Sequence, residues 1–304
     1  PSPMKGEGAN PRRGLQRSIL AACDGEVSGS GRVEGAMVEE VVSKGGWNPN
    51  QYDRFKAERE QPFYDLAALV RREPAMCVVD LGCGDGRLTA WLHRELGAVE
   101  TLGIDSSEEM LAKSEAHVGD GVSFRRMDIL DASEEYAGQF DLVYSNAALQ
   151  WILGHETLIP RVVRMVRPGG QFAIQMPANG NAPSHRLAAV IAAQEPFRTA
   201  LDGWIRIDPV QGPEFYSALL RETVGCAEQL VRLQVYDHEL AETRSAVEWV
   251  KGSLLTAYLA RLPEDLHAEF LERYTEALVA EVGERSPYYY PFPRVFLWGR
   301  MPSA

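Results

Sequence analysis

Val78-Val79-Asp80-Leu81-Gly82-Cys83-Gly84-Asp85-Gly86 decides the fold. Cys77 to Val79 is a short apolar, β-branched run that enters a turn with glycine at every second position. Leu88, Trp91, Leu92 and Leu96 then recur at helical spacing. A strand, a tight turn and an amphipathic helix in that order form the unit from which parallel α/β sheets are wound. Glycine permits a left-handed turn and a close backbone approach that a Cβ would prevent, and the helix N-terminus behind it carries N–H groups without intrahelical partners. The stretch therefore predicts a cradle for a nucleotide-like ligand. Its spacing, Gly82-x-Gly84-x-Gly86, departs from the G-x-G-x-x-G that holds a pyrophosphate, which disfavours a dinucleotide.

A second strand from Glu100 to Ile104 delivers Asp105, about 20 residues past the glycines, the offset at which an acid accepts hydrogen bonds from ribose hydroxyls. Ser106-x-x-Glu109 predicts a capping box at the next helix. A third strand, Val122 to Met127, ends at Asp128 and Ile129, and a fourth, Phe140 to Asn146, continues into Ala147-Ala148-Leu149-Gln150-Trp151. In a doubly wound sheet the ligand crevice opens where the strand order reverses, between the first and fourth strands. Asn146 to Trp151 should line it, with His155 close behind.

Downstream, Pro62 predicts a break in a first helix, and Arg167-Pro168-Gly169-Gly170 predicts a turn before a fifth strand, Gln171 to Met176. Pro183-Ser184-His185 opens a helix, and Glu214 to Val224 forms another before a strand around Leu230 to Tyr236. Val247, Val250, Leu254, Tyr258 and Leu262 keep the spacing of one buried helical face. The last strand, Arg294 to Arg300, is expected antiparallel at the sheet edge.

Asp80 to Gly86 resembles the acid-Leu-Gly-x-Gly-x-Gly motif of the class I S-adenosylmethionine-dependent methyltransferases, with Asp85 where many members carry Pro or Thr. The resemblance implies an α/β fold, a doubly wound, mostly parallel seven-stranded Rossmann-like sheet, and S-adenosyl-L-methionine as cofactor. It also implies cofactor contacts from Asp80, Gly82, Cys83, Gly84, Asp105, Ser106, Asp128, Ile129 and Asn146, with Arg59 on a helix that closes the site. Cys83 is then a small structural residue of the loop rather than a nucleophile.

A narrower resemblance runs from Trp47 to Met301. Trp47-Asn48-Pro49-x-x-Tyr52, Asn146 to Trp151, Gln175-Met176-Pro177-x-Asn179, Pro183-Ser184-His185, Trp249-Val250-Lys251-Gly252 and Phe292-Pro293-Arg294 are similar to pieces of the trans-aconitate 2-methyltransferase family. Two departures stand out: Thr256-Ala257 where some members have an Arg-Pro pair, and Tyr288-Tyr289-Tyr290 where many are Leu-rich. This resemblance implies O-methylation of a carboxylate on a small polycarboxylic acid, within a domain spanning 47–301 whose cap helices fall in 183–224 and 243–284. A carboxylate is already ionised at neutral pH, so no general base is needed and catalysis is positioning alone. Trp151, His155, His185, Tyr289 and Arg294 are the expected substrate contacts, and Trp151 and His155 are also the candidates beside the reacting atoms. Two other readings fit the same residues: a methyltransferase of this fold acting on another small molecule or a carrier-bound carboxylate, and a cofactor-binding protein without catalysis.

Charge and composition narrow the partners. The formal net charge of −12 argues against a nucleic-acid substrate and requires that an anionic acceptor be captured by a local group of cations. No apolar run reaches the ~18 residues of a membrane span. Cys23, Cys77, Cys83 and Cys226 lack the C-x-x-C spacing of a metal site, and nothing suggests a disulfide framework, so a reducing, cytoplasmic setting is expected and no metal. Residues 1–46, rich in Gly and Ser with few aromatics, read as a disordered extension. Oligomeric state is left open.

Overall fold

A computed structural model describes residues 56–303, with side chains from Glu60 onward. The expected features at Trp47 to Phe55, the Arg59 side chain and the extension 1–46 lie outside the described residues.

Among the described residues, seven strands form one sheet in the order β3-β2-β1-β4-β5-β7-β6. They are β1 Cys77–Leu81, β2 Glu100–Asp105, β3 Val122–Arg126, β4 Phe140–Asn146, β5 Val166–Pro177, β6 Glu228–Leu240 and β7 Tyr288–Arg300. The first five run parallel, and β7 is antiparallel to both β5 and β6. The order reverses between β1 and β4, so the crevice expected from the sequence opens there. The final strand is antiparallel as expected but is not at the edge. It lies inside β6, with which it pairs along all thirteen residues, and β6 forms the edge.

The central strands are buried on both faces, which is why their sequences read as continuous apolar runs. Val79, Leu81, Val143, Phe172, Ile174, Val295 and Leu297 meet the helices α4 (Ile129–Glu135), α5 (His155–Val163) and α8 (Pro213–Leu219) on one face. Val78, Leu142, Tyr144, Ala173, Phe296 and Trp298 face the other way, against α1 (Lys56–Ala67) and α2 (Arg87–Leu96). Each fully buried side chain of this size contributes roughly 1.5–3 kcal/mol. Helix α1 continues through Pro62 rather than breaking there, since burial of Phe63 and Leu66 against the sheet outweighs the lost backbone bond. The Arg167–Gly170 segment is likewise absorbed into β5, and the pairing with β4 shifts register between Phe140 and Leu142 to admit it.

A separate core joins α6 (Pro183–Ala192) and α7 (Phe197–Ala200) to α9 (Ser245–Lys251), α10 (Leu254–Leu259) and α11 (Glu264–Val282). Helices α9 to α11 are inserted between β6 and β7, and the near ends of those strands supply Leu240, Tyr288, Tyr290 and Phe292 to the same core. No helix among the described residues is long and apolar enough to cross a membrane.

Candidate active site

The turn after β1 is folded back onto β2. Gly82 and Cys83 both donate their N–H to the Ile104 carbonyl, at 2.8 and 3.0 Å, and the Gly84 N–H donates to Asp105 Oδ2 at 3.0 Å. The Gly86 N–H goes to the Cys83 carbonyl and the Arg87 N–H to Asp85 Oδ1. The amides of Gly82, Cys83, Gly84 and Gly86 are therefore engaged within the turn and with β2. At Gly82 the φ angle is +76° and a Cβ would lie 2.3 Å from Ala148 Cβ; at Gly84 φ is +57° and a Cβ would lie 3.2 Å from Met110 Cε. A side chain at Gly82 would displace the Ala147-Ala148 turn, and both positions hold left-handed backbone that favours glycine.

Asp80 lies beneath this surface. It is 2% exposed, its Oδ2 accepts from Thr89 Oγ1 at 2.6 Å, and burial pushes its carboxyl up to about 7. It ties the turn to α2, a bracing position where the sequence suggested a lining one. Cys83 is buried, and burial together with the charges of Asp80 and Asp105 pushes its thiol far up, which removes it as a nucleophile.

Asp105, at the tip of β2, has its Oδ1 bonded to the Ser107 N–H at 2.8 Å while Oδ2 holds Gly84, and its side chain remains partly exposed. The cap of α3 (Glu108–Ser114) is Ser107, which accepts from the Met110 N–H; Ser106 is exposed instead. The expected capping box is thus one residue out of register, because Asp105 takes the Ser107 amide and makes that residue the helix entry. Asp128 is exposed and caps α4 through the Leu130 N–H at 2.7 Å, with partly buried Ile129 behind it. Of the strand-end acids, Asp105 is the one bonded to the glycine turn.

Across the crevice, β4, β5 and β7 present polar side chains from an otherwise apolar sheet. Asn146 and Gln175 are paired in register on neighbouring strands, and the buried Arg294 on β7 donates from Nη1 to Gln175 Oε1 at 3.3 Å. Asn146 Oδ1, Gln175 Nε2, Gln150 Oε1 and both polar atoms of the Asn179 side chain are buried without a hydrogen-bond partner. Such orphaned groups cost roughly 1–3 kcal/mol each in a finished interior, so their concentration here points to a polar ligand. Ala147 between them holds φ +53°, a left-handed value uncommon outside glycine. The sequence carried one signal for Gln175, an amide amid the apolar residues of β5; the pairing that selects it from Gln171 is three-dimensional.

The other expected contacts separate. Trp151 is 39% exposed on the 3-10 turn Leu149–Trp151, with the Arg206 guanidinium 5.3 Å from its ring centre. His185 is partly buried at the start of α6, and burial and then the Arg206 charge hold its imidazole down to about 3, so it is neutral at neutral pH and is not the cationic donor expected. His155 does not reach the crevice: it is 1% exposed, with Nδ1 on the Tyr216 hydroxyl at 2.5 Å and Nε2 on the Leu149 carbonyl at 3.1 Å. Tyr289 does not either, since strand alternation turns it outward, 58% exposed, and turns Tyr288 and Tyr290 into the cap core. Tyr290 shares a hydrogen bond with Ser184 Oγ at 3.0 Å.

Comparison with known proteins agrees with this architecture. A family described as Methyltransferase domain matches residues 78–170. The crystal structure of a candidate methyltransferase from Bacillus halodurans C-125 covers 79% of this chain and 98% of its own, at TM-score 0.50 and 13% identity, which concerns the fold alone. The trans-aconitate 2-methyltransferase of Deinococcus radiodurans is 41% identical over 264 residues, 84% of this chain and 99% of that relative. The enzyme of the same name from Paracidovorax citrulli is 37% identical over 257 residues, 84% of this chain and 98% of its own. The chain belongs to the trans-aconitate 2-methyltransferase family.

Proposed function

We propose that this protein methylates a carboxylate of trans-aconitate in the crevice between β1 and β4. The observation that carries the reading is the row Asn146, Gln175 and Arg294, a buried cation flanked by amide groups with unmet hydrogen-bonding capacity. Bound there, S-adenosylmethionine would supply an activated methyl group to a carboxylate oxygen that is already ionised, so no residue is needed to take a proton. The residues present fit that cofactor: Gly82 has no room for a Cβ against Ala148, Gly84 holds a left-handed φ, and Asn146 Oδ1 is a buried acceptor without a partner.

In this reading Gly82, Cys83 and Gly84 pack on the methionine end, and Asp105 receives the ribose hydroxyls on the outward side of a carboxylate whose inner side is held by Gly84 and Ser107. Asp128, Ser106 and Ile129 border the adenine. Asn146 stands between the two halves. Arg294 and Gln175 bind a carboxylate that does not react, and Trp151 forms a wall that excludes water from the one that does. His185 serves as a neutral hydrogen-bonding group, and His155 positions Leu149 and Tyr216 from behind. The net charge of −12 and the unpaired thiols of Cys77, Cys83 and Cys226 support a small-molecule acceptor and a cytoplasmic setting.

Incubation with methyl-labelled S-adenosylmethionine and trans-aconitate tests the reading. A base-labile methyl ester is expected, and Arg294→Ala should raise KM for the acid while leaving S-adenosylhomocysteine affinity within about twofold. Absence of label transfer to a panel of di- and tricarboxylates, despite tight S-adenosylhomocysteine binding, overturns it.

A further inference from the structure

Between α7 and α8 the chain runs from Trp204 to Gly212 without helix or strand, and it spans from the cap to the sheet. At the cap end, the Trp204 ring meets Tyr258 edge-on at 5.3 Å and lies 4.1 Å from the Arg261 guanidinium, while the Arg206 N–H donates to the Tyr258 hydroxyl at 3.3 Å. At the sheet end, the Gln211 N–H donates to the Tyr216 hydroxyl at 3.1 Å, the same hydroxyl that holds His155. Asp208 in between packs so closely on Gly180 that a Cβ there would sit 2.5 Å from its carboxylate. The segment is a strap fixed at both ends, and its inner surface is specified.

That surface is set by alternation. Trp204, Arg206 and Asp208 are half-buried, and the intervening Ile205 and Ile207 are exposed, Ile207 to 68%. Arg206 is thereby directed to two residues that the proposed function assigns to the acceptor, with its guanidinium over Trp151 and its charge felt by His185. It forms no ion pair among the described residues, in a chain with an excess of acidic groups. A guanidinium kept half-buried beside an aromatic wall and outside ion-pair distance of every described carboxylate is suited to a planar anion supplied from outside.

We infer that Arg206 is a specificity-determining residue that binds a second non-reacting carboxylate of the acceptor, opposite the one bound by Arg294. The inference rests on the carboxylate-methylation reading. An acid with three carboxylates reacts through one and leaves two to be neutralised; Arg294 on the sheet takes one, and Arg206 on the strap takes the other. A dicarboxylate leaves Arg206 idle, so this residue sets the preference for a tricarboxylate.

The test compares the full chain with Arg206→Gln and Arg206→Lys, using trans-aconitate and a dicarboxylate of the same chain length that lacks one carboxyl. Arg206→Gln should raise KM for trans-aconitate about tenfold or more and reduce the tri- over dicarboxylate ratio of kcat/KM by a similar factor. KM for the dicarboxylate and calorimetric affinity for S-adenosylhomocysteine should stay within about twofold, which loss of folding would not allow. Arg206→Lys, which keeps the charge without the fork, should recover part of the preference. An active wild type whose preference survives in Arg206→Gln overturns the inference alone. A wild type that esterifies neither acid overturns the underlying reading and the inference with it.

Discussion

Gln171 and Gln175 lie four residues apart on the same face of β5, and only Gln171 has its side chain fully engaged. Gln171 Oε1 accepts from the Arg71 N–H and from Trp298 Nε1, at 3.0 and 3.1 Å, and its Nε2 donates to the Arg71 carbonyl. Gln175, equally buried, receives Arg294 and leaves Nε2 without a partner. One amide is a structural joint between the loop after α1, β5 and β7; the other holds capacity for a ligand.

Substitution by leucine should separate the two. Gln171→Leu leaves an indole N–H and a backbone amide unpaired and is expected to cost about 2–4 kcal/mol in denaturant unfolding, with KM unchanged in the surviving fold. Gln175→Leu removes one bond and one orphan, so stability should change by less than about 1 kcal/mol while KM for the carboxylate rises about tenfold. Equal stability losses in the two variants would assign Gln175 to the core.

Asp105 links the cofactor cradle to the second strand through two backbone amides, at Gly84 and Ser107. Asp105→Ala releases both and removes the ribose acceptor, so a loss of about 2 kcal/mol or more in binding energy, some thirtyfold in S-adenosylhomocysteine Kd, is expected by calorimetry. Asp105→Asn keeps an acceptor for one amide at most and should fall between. An unchanged Kd for Asp105→Ala would move the ribose elsewhere.

A reciprocal test exists at Gly82, whose added Cβ would overlap Ala148 Cβ. Gly82→Ala should be destabilised by the left-handed backbone, by about 1 kcal/mol, and further by the displacement of the Ala147-Ala148 turn. Ala148→Gly removes the obstructing atom, so the double variant should recover cofactor affinity that Gly82→Ala has lost, with a coupling energy of about 1 kcal/mol or more. Strictly additive losses would mean that the two residues do not share that space.

Local signals made the first half of the fold legible. The glycine turn, the strand-end acids and the helix behind them are contiguous, and each carries its own spacing rule. The rest depended on partners far away in the chain. Nothing in Tyr288-Tyr289-Tyr290 says which ring faces the cap; the register of β7 against β6 decides, pairing Tyr289 with Glu239 and turning it outward. His155 looks like a ligand until Tyr216 and the Leu149 carbonyl occupy both nitrogens. Arg206 lay in a stretch without periodicity long enough to notice, and only its anchoring to Tyr258 gives its two-residue alternation a direction.

His185 gives the remaining prediction a sign. Its imidazole is held down to about 3, first by burial and then by the charge of Arg206, against 6.5 for the unfolded chain. Between those values the unfolded state binds a proton that the folded state refuses, so this contribution to stability is complete above about pH 6.5 and declines as pH falls toward 3. Between pH 7 and pH 5 the loss from this residue is on the order of 1–2 kcal/mol. His185→Asn carries no such proton, so its midpoint in denaturant should fall less than that of the wild type over the same interval, whatever the offset between the two at pH 7. Since His185 stays neutral throughout, KM for the carboxylate should show no inflection near pH 6.5 in either protein. An inflection present in the wild type and absent in His185→Asn would mean that the imidazole is charged in the folded state, and that it joins Arg206 and Arg294 as a third cation at the acceptor.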